Sequence, residues 1–126
     1  MRLLLPAAIA SLLLVGCGGS VAVRTGDHEL DLTLAEYRIA PQAISVPAGR
    51  LRIVAHNRGI LTHNVELERG TLDSGEERIV LSTIHTLLPG ASAAVLTGPL
   101  APGRYLLVSS VGNQTTLGMA ATLIVR

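Results

Sequence analysis

From residue 29 onward, apolar residues recur at alternate positions in short runs, and each run stops at Gly, Pro or a polar cluster. Leu30, Leu32 and Leu34 alternate with polar neighbours, and Leu51, Ile53 and Ala55 alternate with Arg52, Val54 and His56. His63, Val65 and Leu67 alternate with Asn64, Glu66 and Glu68. A period of two puts one set of side chains inside and the other in water, which describes a half-buried β-strand. Further strands are expected at Ile44–Val46 and over about 79–85, 92–97, 104–109 and 119–125. Pro47-Ala48-Gly49, Pro89-Gly90, Pro99 and Pro102-Gly103 supply turns, and the polar stretch 69–77 reads as a loop. No helical period of useful length appears. Seven or eight short strands in roughly a hundred residues predict an all-β, Greek-key β-sandwich.

The core of such a domain must be aliphatic, because the chain has two Tyr, no Phe and no Trp. Pro102-Gly103-Arg104-Tyr105 places one of those tyrosines at a strand start, where its hydroxyl can cap a corner of the sandwich or its ring can simply pack.

Residues 1–16 have the layout of a secretory leader: Arg2, then the apolar run Leu3 to Val15 containing Pro6. The run is too short for a stable membrane span. It ends in Leu14-Val15-Gly16-Cys17, which resembles the bacterial lipobox. That resemblance implies cleavage before Cys17, a diacylglyceryl thioether on its sulfur and acylation, with palmitate for example, of the new N-terminus. More than one acyl chain gives stable anchoring. The expected localisation is the extracytoplasmic face of the cell membrane. Residues 17–28 read as the lipidated Cys and a flexible tether, and residues 29–126 as the domain. Cys17 is the only cysteine, so the domain has no disulfide and no thiol for catalysis or metal ligation. Without the leader, nine arginines face nine acids. No basic stripe is available for phosphates, and nucleic acid is not an expected partner.

An ordered set of short segments resembles the cupredoxins of the plastocyanin and azurin type. The first half carries Glu36-Tyr37-Arg38-Ile39, Pro41, Ile44 to Gly49, Asn57 and His63-Asn64-Val65. The second carries Leu88-Pro89-Gly90, Pro102 to Tyr105 and Gly118-Met119. The resemblance implies a site of two His, one Cys and a weak axial Met for blue copper. His63 matches the first His, and Met119 matches the axial Met. Counting back from Gly118-Met119, the Cys position falls on Ser109. The second His position falls on Gln114, or on Asn113 in a shifted reading of the loop. The thiolate and one imidazole are therefore absent, and a Ser hydroxyl is not ionised near neutral pH.

With strands running alternately up and down, His56, His63, His85, Gln114 and Met119 are expected around one rim. The residues on their own also allow His63 and Met119 to be core, and His56 and His85 to be solvated. Ile60-Leu61, Leu87-Leu88 and Leu117 fall in loops at the same end, either as a docking patch or tucked beneath the loops. No phosphate loop, carboxylate pair beside a His or nucleophile motif is present, so an enzyme is not expected. The reading is a membrane-anchored, cupredoxin-like binding or accessory module without a complete type 1 copper site, without a cofactor, and with a protein partner at the apolar rim. The alternative is a copper carrier or electron-transfer protein built on His63 and Met119, with His85 as a further ligand.

Overall fold

A computed structural model describes residues 23–24, 28–70 and 77–126. Cys17, the leader and most of the expected tether lie outside them. The described strands are β1 (Val23–Arg24), β2 (Glu29–Ala35), β3 (Arg38–Ala40), β4 (Ala43–Val46), β5 (Arg52–Asn57), β6 (His63–Arg69), β7 (Ile79–Leu87), β8 (Ser92–Leu96), β9 (Gly103–Val108) and β10 (Ala120–Val125). Eight of these have four or more residues and correspond to the alternating runs. No helix occurs among the described residues.

The strands form two sheets, ordered β1-β4-β10-β9-β6-β7 and β3-β2-β5-β8. In the first, β4 runs parallel to β10 and to β1, while β10, β9, β6 and β7 are antiparallel neighbours. In the second, β2 is parallel to β5 and antiparallel to β3, and β5 is antiparallel to β8. β3 and β4 belong to different sheets, on either side of a cis Ala40–Pro41 peptide. The inward sets of the alternating runs meet between the sheets. Leu30, Leu32, Leu34, Ile53, Ala55, Val65, Leu67, Leu107 and Leu123 are all buried there. This is an almost wholly aliphatic core.

Three features were not in the alternation. β3 is only three residues long, too short to show a period. β7 runs on to Leu87, which is buried in the core. That corrects the placement of Leu87 in a rim loop: it closes the inward row of β7, opposite His63. Val23–Arg24, within the expected tether, pair in parallel with Ile44 and Ser45 at the edge of the six-stranded sheet.

Tyr105 is buried, and its hydroxyl donates to the Ala101 carbonyl at 2.7 Å. The corner-capping reading of this tyrosine therefore holds. The cap sits where β9 begins, at the end of the sandwich away from the loops described next.

Candidate functional site at the loop end

β2, β5, β7 and β9 all finish at one end of the sandwich, and β6, β8 and β10 start there. Four connections therefore gather at this end: the Glu36–Tyr37 turn and the segments 58–62, 88–91 and 109–119. Asn57, buried at the end of β5, ties two of them together. Its Nδ2 donates to the carbonyls of Leu61 at 2.8 Å and Leu87 at 2.9 Å, and its Oδ1 accepts from Gly59 N at 2.9 Å. Its backbone N–H donates to Ala91 O and its carbonyl accepts from Gly90 N. Gly90 takes φ +83°, a turn geometry in which an L side chain is strained.

His63 opens β6 and is fully buried. Gln114, buried in the 109–119 loop, donates from Nε2 to the Thr62 carbonyl at 2.9 Å, which turns its Oε1 inward. That oxygen lies 2.9 Å from His63 Nδ1 and 2.6 Å from Ser109 Oγ. An amide oxygen only accepts, so the Nδ1 proton is given to it, while the single Ser109 proton is shared between Gln114 Oε1 and Asn64 Oδ1, the latter at 3.0 Å. Ser109 Oγ in turn accepts from Asn64 N at 3.2 Å. Asn64 Oδ1 accepts from Ser110 N, and its Nδ2 donates to Ser110 Oγ, which donates to Glu66 Oε1. Met119, fully buried, joins the same end through the backbone: Met119 N donates to Gln114 O, and Ser109 N to Met119 O.

The other edge of the His63 ring faces Glu36. Nε2 is buried without a hydrogen-bond partner, and Glu36 Oε1 is 3.5 Å away. The carboxylate is held by the N–H groups of Ile60 at 2.6 Å and Leu61 at 2.9 Å. The Leu61 N–H, then that of Ile60, holds the Glu36 carboxyl below its ordinary value, against an opposing push from partial burial. Gly59 makes this approach available. A Cβ on it would run into Glu36 Oε1 and come within 3.0 Å of His63 Nε2.

The structure thus brings together four of the sequence-selected residues, His63, Ser109, Gln114 and Met119. It does not bring the other histidines to them. His85 alternates with the buried Ile84 and is exposed on the outside of β7. His56 lies on the outer side of the four-stranded sheet, 2.7 Å from Ser92 Oγ and 3.6 Å from Asp31 Oδ1. His28 sets its Nδ1 3.0 Å from the Arg50 carbonyl at the far end. Asn113 is exposed, while Gln114 is buried, so Gln114 is the loop residue directed at His63. Glu36, Gly59 and Asn64 are functional neighbours that the sequence reading did not select. Among the described residues, no group of three His, Cys, Asp or Glu side chains is placed to hold a metal ion.

Around this buried network the surface is apolar. Ile60 is 82% exposed, Leu88 64%, Leu117 48% and Leu61 41%, with Tyr37 at 43% on the adjoining turn. None of the four aliphatic side chains tucks beneath its loop.

No model of a known protein family matches this chain, and no curated protein does. Solved structures do. Reduced auracyanin from Roseiflexus castenholzii superposes with TM-score 0.72 at 16% identity, over 81% of this chain and 99% of that one. Auracyanin A from Chloroflexus aurantiacus, described as a "blue" copper protein, gives 0.66 at 16% identity, over 82% and 100%. A purple cupredoxin from Nitrosopumilus maritimus gives 0.55 at 15%, over 76% and 98%. Two facing sheets in this strand order, closed at one end by the His63 loops, make the domain a cupredoxin-like β-sandwich.

Proposed function

We propose that the protein is a membrane-anchored, extracytoplasmic accessory module that uses a cupredoxin-like sandwich as a scaffold and carries no blue copper. The observation behind this reading is the position of Gln114 Oε1. Both His63 Nδ1 and Ser109 Oγ are turned onto it, so two of the four positions that the family resemblance assigns to copper are satisfied by a third. A blue site also needs a thiolate, and residue 109 is Ser. The single Cys17 is the residue that the lipobox-like sequence assigns to the acyl anchor. The residues present do not fit a type 1 ion. Hydrogen bonds from one buried side chain to several segments, as Gln114 makes to His63, Ser109 and Thr62, hold loops in one arrangement. A scaffold that presents a fixed loop end requires that property.

The test is a Cu(II) and Cu(I) titration of the acylated protein in detergent, beside His63→Ala and the double variant Ser109→Cys/Gln114→His. The expected result is no stoichiometric copper on the natural protein and a blue complex on the double variant. One equivalent of copper on the natural protein, lost in His63→Ala, would establish the carrier built on His63 and Met119 instead.

A further inference from the structure

The loop end carries an exposed apolar set, and the direction of β1 says what covers it. β1 runs parallel to β4 and β10, both of which lead away from the loop end, so the N-terminal side of Val23 faces the loops. Val23 pairs with Ile44, which pairs with Leu123, four residues down the sheet from Met119. At about 3.3 Å per residue, that is roughly 13 Å below the loop end. Cys17 precedes Val23 by six residues, a reach of at most about 20 Å. A chain of that length, leaving β1 toward the loop end, is long enough to reach the height of the loops.

The charges at this end agree. Arg38 and Arg58 are exposed beside the apolar loops, and neither is ion-paired among the described residues. The nearby acids are turned toward donors within the protein, Glu36 to backbone N–H groups and Glu66 to Ser110, which directs them away from the solvent-facing guanidinium groups without cancelling their charge. An apolar tip flanked by free guanidinium groups matches the acyl boundary and anionic headgroups of a bilayer.

We propose that the loop end rests in the membrane surface to which Cys17 is anchored, with Ile60, Leu61, Leu88 and Leu117 immersed and Arg38 and Arg58 at the headgroups. This rests on the acylation of Cys17 assigned under the proposed function. The anchor and the loops then form one two-part attachment, and the far end, with the Tyr105 corner, faces outward.

The experiment reconstitutes the acylated full chain in vesicles of phosphatidylethanolamine and phosphatidylglycerol. Single cysteines are introduced by Leu117→Cys, Ile60→Cys and Leu96→Cys and spin-labelled; Leu96 is an exposed apolar residue at the opposite end. Labels at 117 and 60 should be relaxed by oxygen and shielded from a water-soluble nickel chelate, and the label at 96 the reverse. A label at 117 as wet as that at 96 overturns the proposal. A rim that is wet in pure vesicles but shielded in native membranes also overturns it and assigns the rim to a protein partner. The mass of the Cys17 peptide is read on the same samples. Absent acyl chains refute the anchor, and the proposal with it, whereas an acylated chain with a wet rim refutes only the orientation.

Discussion

Gly59 sits against two functional groups at once, and no other residue type leaves room for both. Gly59→Ala should destabilise the domain by about 1–3 kcal/mol, read from its denaturant midpoint, because the Cβ must push Glu36 or the β5–β6 loop aside. Gln114→Leu removes the shared acceptor and leaves His63 Nδ1 and the Thr62 carbonyl to find other partners inside the protein, while Ser109 Oγ keeps Asn64 Oδ1. A loss of about 1–3 kcal/mol is expected for each buried group left unpaired, with loop amides at 109–119 exchanging faster. His63, Ser109, Gln114 and Met119 could be picked from the sequence because the resemblance to cupredoxins assigns ligand positions to them. Glu36 and Gly59 could not. Their meeting depends on a turn in one sheet touching a loop that leads into the other, and no local pattern records that.

At the scale of elements, Glu36 is the tie between the β2–β3 turn and the β5–β6 loop. Its carboxyl titrates below 4.5 in the folded protein, so the tie is complete above that pH and is lost as pH falls through the folded value. The melting temperature should therefore drop below about pH 4.5 more steeply in the natural protein than in Glu36→Gln. Glu68 has the opposite sign. Burial on the outer side of β6 raises its carboxyl, Arg78 at 3.1 Å opposes this only in part, and Glu66 adds to it. Its charged form is a cost that grows as pH rises through the raised value. Glu68→Gln should therefore raise the urea midpoint at pH 7. β2, β4, β5 and β10 were readable because buried positions alternate with more open ones along them, whereas β6 and β9 are buried on both faces over much of their length. β1 and β3 were not readable, being two and three residues held by their neighbours' ladders and not by a hydrophobic face of their own.

Across the whole molecule, two sheets close on aliphatic side chains without a disulfide among the described residues. Leu123, fully buried on β10 between β4 and β9, is at the centre of that arrangement. Leu123→Ala should cost about 2–5 kcal/mol, measured by chemical unfolding. The architecture was legible from punctuation and period. The chemistry was legible only as far as residue types allowed: a missing thiolate is visible in a string of letters, whereas one amide oxygen serving two donors is a property of the folded loop.

The two tyrosines stand at opposite ends, Tyr37 exposed beside the loops and Tyr105 buried at the far corner, and no tryptophan outshines them. The protein is thus nearly dark in the near ultraviolet, with one weak emitter open to solvent and one shielded. A soluble quencher reads Tyr37 alone, so loss of its quenching reports contact at the loop end without any label. A tryptophan-bearing partner would announce itself against an almost empty background.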